Sequence, residues 1–370
     1  MNDRTAGSRW FHGIVAALAV LCATRAGAAD FCDKGGLGSV GARVVAQGEP
    51  GLPPAPDPIG GVGGTGIVAS LNPGEEASVI GTLTRFGSVC VNGEHVRYAP
   101  DVPTDIDGQA GTARDLQLGQ VILLRVVRDD DGDLSARRIA VVDAVVGPVT
   151  ERDEAAQRFA VMGRWLRLGD DTMFGNAGSA VPELGVSVGV SGIAAPDGTL
   201  VATRVQAAWR GERAYVSGVV TELDGRMFDV EGVPVQVAGT GPLPDLERGV
   251  EVAVSGLWNG DRLEAESLVL NPLIDAAKSA PAVVSLEGFL DRCGDIGRPA
   301  IGGVAVRMPP EVRADEWIGR RVIAVGRPGD GDELVLASVR TSPLDRAEAA
   351  RPAATGRPVR ACGPLHVLPR

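Results

Sequence analysis

One frame of glycines and valines recurs four times in this 370-residue chain. The copies read VNGEHVRY from Val91, VMGRWLRL from Val161, VEGVPVQV from Val230 and IGGVAVRM from Ile301. Each holds a glycine (Gly93, Gly163, Gly232, Gly303), followed at the third position by Val96, Leu166, Val235 or Val306. Tyr98, Leu168, Val237 and Met308 stand at the fifth. A repeat of about 70 residues signals one supersecondary unit used several times, so any fold must be built from that unit.

Punctuation around the frame is also repeated. A short first strand carries Gly81, Gly147, Gly218 or Gly288, and a second apolar-alternating run surrounds the frame glycine. A third signal has paired glycines at Gly185 and Gly192, Gly249 and Gly256, and Gly319 and Gly326. In the first copy Gly119 keeps the first position, but Val126 takes the second. A last strand begins at Leu134, Leu200, Leu263 or Leu334. These runs are rich in β-branched residues and bounded by Gly, Asp and Pro, which reads as strands. Aromatics are 4% of the chain, so the cores must be Val, Leu, Ile and Ala. Four to five strands in roughly 65 residues are too few for an immunoglobulin-like sandwich of about 100. The expected class is all-β: tandem small five-stranded OB-like or Greek-key β-barrel repeats joined in a row, with little helix. The glycines are expected at bulges or sharp bends that close so small a sheet. Helical turns are expected only near Thr112–Leu116 and Glu311–Ile318.

The divisions follow: a leader at 1–28, a Gly/Pro-rich segment at 29–77, repeats at 78–144, 145–210, 214–272 and 284–342, and a tail at 343–370. In the leader, Arg4 and Arg9 precede an apolar run from Phe11 to Cys22, and Ala26-Gly27-Ala28 offers a small-residue cleavage site. That is the layout of a secretory signal peptide, and the apolar run is too short to span a bilayer. The expectation is an exported chain, periplasmic or at the cell surface or secreted, with no transmembrane segment after processing. Loss of the leader takes the formal net charge from −11 to −13, which repels phosphate backbones and argues against nucleic acid. Four cysteines remain: Cys32, Cys90, Cys293 and Cys362. An even count in an oxidising compartment suggests two disulfides, with three connectivities. Cys32–Cys90 with Cys293–Cys362 is favoured, since each ties a terminal segment to the nearest repeat.

The strand order reads Gly-x-Val/Leu-Thr, then Val-x-Gly-x-x-Val-x-Val, then Leu-x-x-Gly-x-x-Val-x-Val-x-Gly, then Leu-x-Ala-x-x-Val. This order resembles bacterial domain of unknown function 5666, as do the Gly60–Gly66 stretch and Gly87-Ser88-Val89-Cys90-Val91-Asn92-Gly93. The resemblance covers residues 59–342, and the fourth repeat departs most, with Cys293-Gly294-Asp295 before its second strand. It implies an exported protein of tandem β modules and implies no reaction.

Sites of chemistry are scarce. Gly185-Val186-Ser187-Val188-Gly189 spells a nucleophile elbow, but it lies in a repeated strand pattern where the elbow needs a strand-to-helix turn. Gly61-x-Gly63-x-x-Gly66 spells a dinucleotide fingerprint without the flanking strand and helix. His95 and His366 are the histidines beyond the leader, too few and too scattered for a metal site or proton relay. Asp129-Asp130-Asp131-Gly132-Asp133 lacks EF-hand spacing and reads as a hairpin turn. No catalytic, cofactor-binding or metal residue is assigned, and no cofactor is expected. Trp209 and Trp258 are the candidates to line a groove between barrels. The expected function is a non-catalytic binding or structural module of the cell envelope, elongated in shape, whose partner is an envelope protein or a glycan. The alternatives are a carbohydrate- or small-ligand-binding envelope protein and a carboxylate-based hydrolase.

Overall fold

The computed structural model describes Cys32, Ile67 and residues 71–175, 181–208, 213–239, 246–270, 283–293, 297–329 and 333–345. The leader, most of the Gly/Pro-rich segment and most of the tail lie outside them, as do Trp209, Cys362 and His366. Each repeat forms one barrel of five strands. Barrel 1 comprises β1 (Glu76–Arg85), β2 (Val89–Val91), β3 (Glu94–Arg97), β6 (Val121–Arg128) and β7 (Leu134–Val141). Between β3 and β6 it inserts a hairpin of β4 (Thr104–Ile106) and β5 (Gln109–Gly111). Barrel 2 comprises β8 (Val145–Asp153), β9 (Arg158–Val161), β10 (Arg164–Phe174), β11 (Ser187–Ala194) and β12 (Leu200–Ala207). Barrel 3 runs through β13 (Arg213–Asp224), β14 (Met227–Val230), β15 (Val233–Val237), β16 (Glu251–Trp258) and β17 (Leu263–Leu270). Barrel 4 has β18 (Val283–Cys293), β19 (Arg298–Ile301), β20 (Val304–Arg307), β21 (Arg321–Pro328) and β22 (Glu333–Thr341).

The wiring is identical in all four. The first strand pairs with the second, the second with the third, the third in parallel with the fifth, the fifth with the fourth and the fourth with the first. Barrels 3 and 4 repeat it pair for pair. This is the Greek-key closure expected of an OB-like barrel, and closure gives every strand two neighbours and removes exposed edges. The short helical turns fall at Ala113–Asp115 and Ala314–Glu316, within the two segments expected to hold them.

The frame glycine does not sit inside one strand, as the alternating run suggested; it is the second residue of a two-residue hairpin. Asn92-Gly93, Met162-Gly163, Glu231-Gly232 and Gly302-Gly303 each have both φ angles positive, from 49° to 99°. Two left-handed residues in succession make the type I′ turn, whose twist matches that of the paired strands. The glycine before the fourth strand (Gly119, Gly185, Gly249, Gly319) has φ between 79° and 89°. Its N–H donates to the first strand at 2.8–2.9 Å in every barrel, to Leu83, Val149, Val220 and Leu290 oxygens. The second glycine of that signal marks a bulge in the pairing of strands four and five, at Gly192, Gly256 and Gly326. Val126 occupies the same bulge in barrel 1, so there the bulge forms without glycine.

Barrels follow one another in the row that the repeats predict, and the row then closes on itself. β1 pairs in parallel with β18, from Ala77↔Val283 to Ile80↔Leu286, which joins barrels 1 and 4 into a 12-stranded sheet. β8 pairs antiparallel with β13 through Val145↔Val216 and Val146↔Tyr215, which joins barrels 2 and 3. Barrels 2 and 3 share one apolar core, with Phe159, Leu166, Leu200, Val216, Val235 and Leu263 all buried. Phe289 of barrel 4 packs with Ile193 and Ala195 of barrel 2, so the fourth repeat touches both the first and the second. The described barrels are folded back on one another rather than strung out in an elongated row.

Candidate functional surfaces

The most deeply buried charges lie between barrels. At the seam of barrels 1 and 4, Glu287 of β18 accepts from the Thr82 N–H at 2.8 Å, the Ser342 hydroxyl at 2.7 Å and Arg321 Nε at 2.9 Å. Arg321 Nη2 also donates to the Thr82 hydroxyl at 2.7 Å, so the pair holds both barrels at once. The side chains of Glu287 and Arg321 are 3% and 5% exposed, which takes this pair out of the class of screened surface bridges. Burial opposes ionisation of Glu287, but Arg321 and the hydrogen bonds outweigh it and hold the carboxyl below its ordinary value. Beside them Asn92, the first residue of the β2–β3 turn, donates to Ile80 O at 2.9 Å and to the Ser285 hydroxyl at 3.0 Å. Arg340 of barrel 4 donates to Asn92 O at 2.5 Å.

The seam of barrels 2 and 3 has its own buried pair. Arg164 binds Glu231, and its Nη1 donates to Ala144 O at 2.8 Å and to Ser217 O at 2.7 Å. The two hairpin turns meet tip to tip, and a Cβ on Gly163 would lie 2.7 Å from Gly232 O. A third polar knot forms where barrel 1 runs into barrel 2. The Asp143 N–H donates to Asp107 at 2.7 Å, and Asp143 accepts from the Ser191 hydroxyl at 2.5 Å. Arg204 reaches across to Leu118 O at 2.9 Å and to Gln117. Its guanidinium is shifted down by burial, against the pull of Asp143.

Among the described residues, an open concavity lies on barrel 1. Pro100–Thr104 and Asp105 form one wall, Ala110–Thr112 and Arg138 the rest, around a volume of about 400 Å³. That is in the lower range of small-ligand sites. Arg138 and Asp101 are both exposed, and neither is ion-paired with another described residue.

The acidic turn has a different occupant. Arg97 of β3 lies 3.3, 2.8 and 3.2 Å from carboxylate oxygens of Asp129, Asp131 and Asp133, so a guanidinium stands among the carboxylates. Its hydrogen bond to Asp131 is the main cause of that carboxyl's lowered pKa. Asp131→Asn is expected to move Tm by no more than about 2 °C, and calcium is expected to leave Tm unchanged, since the cluster is solvated and the Arg97 guanidinium already occupies the space between its carboxylates. Differential scanning fluorimetry with and without the ion checks both.

Other residues singled out in the sequence are placed as follows. Cys32 and Cys90 form a disulfide, with Cα atoms 5.6 Å apart. Cys293 is disulfide-bonded, and Cys362, its expected partner, lies outside the described residues. His95 is a half-buried residue of β3, and Ser187 opens strand β11 rather than a strand-to-helix turn. Trp258 is half-buried against the shared core of barrels 2 and 3. Close to it, around the β16–β17 turn, Asn259 donates to Glu264 at 2.9 Å and Arg262 to Gln236 at 3.2 Å. Trp165 carries the Arg158 guanidinium 4.8 Å over its ring. The sequence reading missed the seam charges. Glu287 left one signal: it precedes Gly288 where the other repeats carry Ile80, Val146 and Ser217.

Residues 76–140 and 146–206 match the family model of a domain of unknown function, DUF5666, as two tandem copies. Those spans are barrels 1 and 2; barrels 3 and 4 reproduce their strand order. No curated protein matches the chain.

Proposed function

We propose that this chain, with two tandem DUF5666 copies in a four-barrel fold, is an exported, non-catalytic binding or structural module of the cell envelope. The observation that carries this reading is the placement of the buried ion pairs. Glu287–Arg321 and Arg164–Glu231 each join two barrels, and a buried pair is costly unless fully hydrogen-bonded. Polar groups used in this way fix the relative placement of barrels, which a rigid display surface requires. Export rests on the leader sequence.

A second reading, an envelope glycan- or small-ligand-binding protein, is favoured by Trp258 with Asn259, Glu264, Arg262 and Gln236 at one end of barrel 3. An apolar ring beside planar polar groups suits stacking on a sugar face. The deciding experiment is crosslinked recovery of the tagged mature chain from its native envelope fraction. A near-stoichiometric envelope protein supports the module reading. Recovery of the chain alone, with Trp258 fluorescence quenched by an oligosaccharide panel, favours the second. Turnover in a hydrolase screen, abolished by replacing one carboxylate, overturns both.

A further inference from the structure

The β4–β5 hairpin is an addition to barrel 1, and it leaves a feature that barrel closure removes elsewhere. β4 pairs in parallel with β7, and β5 pairs with β4. Among the described strands, β5 alone has a neighbour on one side only. The Asp107-Gly108 turn, with φ of 47° and 81°, makes Ile106↔Gln109 the hydrogen-bonded pair next to it. Antiparallel pairs alternate, so Asp105↔Ala110 is a non-hydrogen-bonded pair. The Ala110 N–H and C=O therefore point away from β4, into the open edge. Edge strands are commonly guarded by charge, proline or a bulge. β5 reads Gln109-Ala110-Gly111, with its first two residues exposed, and its brevity is its only guard.

The cleft described above adjoins this edge, since Ala110 and Gly111 line both. Asp101, Asp105 and Arg138 give its walls an excess of one negative charge, on a chain whose formal net charge is −11. Pro100 and Pro103 restrict the facing wall, so little ordering cost is added on binding.

We propose that β5 is a docking edge for an extended, basic peptide segment of a partner protein. The segment adds beside β5 through the Ala110 N–H and C=O and places a Lys or Arg side chain in the cleft against Asp101 and Asp105. Main-chain bonds supply the register and the cleft supplies the preference, as in other strand additions. The acidic field of the whole chain favours approach of a basic segment. This names the partner chemistry of the module reading and rests on it.

The test is selection of a phage-displayed random heptapeptide library on the full mature chain, followed by titration of the enriched peptides against variants. Ala110→Pro removes the outward donor at an edge position that tolerates proline. It is expected to weaken binding at least tenfold with Tm retained, and Asp101→Lys is expected to do the same. Enrichment of basic peptides with this double sensitivity supports the proposal. Peptides that bind Ala110→Pro as well as wild type overturn it, as does a library that yields none. Concentration-dependent dimerisation abolished by Ala110→Pro also overturns it, in favour of a second copy as the occupant. A native envelope partner that binds Ala110→Pro unchanged leaves the module reading intact and removes this edge from it.

Discussion

Glu287→Ala is expected to destabilise the chain by about 3–5 kcal/mol, because it leaves the Arg321 guanidinium buried without its counter-charge. The loss should be concentrated at the seam of barrels 1 and 4, where Glu287 also anchors the Thr82 N–H and the Ser342 hydroxyl. Hydrogen exchange read at β1 and β18 should therefore accelerate more than exchange in the core shared by barrels 2 and 3. Glu287→Leu combined with Arg321→Leu should recover the part of the loss due to the uncompensated charge, while the buried Thr82 N–H and Ser342 hydroxyl stay without the carboxylate. The pH dependence has a definite sign. Glu287 has its carboxyl pKa lowered in the folded chain, so its stabilisation is complete above the ordinary glutamate value of about 4.3. It is lost as pH falls through the lowered folded value. Glu287→Gln should flatten that acid limb in urea titrations run from pH 7 to pH 2. An unchanged acid limb, or a uniform loss of exchange protection, would sink this account of the seam.

Gly163→Ala is expected to cost about 3 kcal/mol and Gly303→Ala about 1 kcal/mol, although both glycines occupy the same position of the frame. The shared part is the left-handed backbone, φ 89° and 83°, which costs an L-residue about 1 kcal/mol or more. The difference lies in what surrounds each turn. A Cβ on Gly303 meets nothing within 4 Å, whereas one on Gly163 lies 2.7 Å from Gly232 O of the next barrel. Backbone cannot swing aside as a side-chain end can, so the hairpin tips must separate, and crowding of this kind costs about 1–3 kcal/mol. Chemical denaturation of the two variants side by side checks the ordering. Equal losses would mean that the tip-to-tip contact of barrels 2 and 3 carries no weight.

The seam and the hairpin tips bear on how much could be read in advance. The frame glycines were legible as backbone devices because a glycine repeated at one place in four copies marks either a left-handed backbone or a close approach with no room for a Cβ. Their hairpin geometry was harder to see: the runs on either side alternate as one continuous strand would. A two-residue turn keeps that alternation in step, so β2 and β3 looked like one strand. The acidic turn was legible as a turn, and Arg97 could not be foreseen as its occupant. That residue comes from β3, which the parallel pairing of Val96 with Leu134 brings alongside.

The candidate site was barely legible. The β4–β5 hairpin falls in the connection between the third and fourth strands, where the repeat pattern is weakest. Its strands are three residues each, too short for alternation to register. Trp258 was noticed for its chemistry, and the structure gives it a packing role against the shared core.

By itself the sequence determined the unit: its strand content, its turns and its fourfold use. Local backbone demands and alternating burial act within a few residues, so they leave a periodic trace. Only the tertiary structure decided that barrel 4 returns to barrel 1 and that Glu287, Arg321, Arg164 and Glu231 are the seam charges. Those contacts join residues as far apart as Thr82 and Arg321. They occur once each rather than once per repeat, and what is not repeated leaves no period to read.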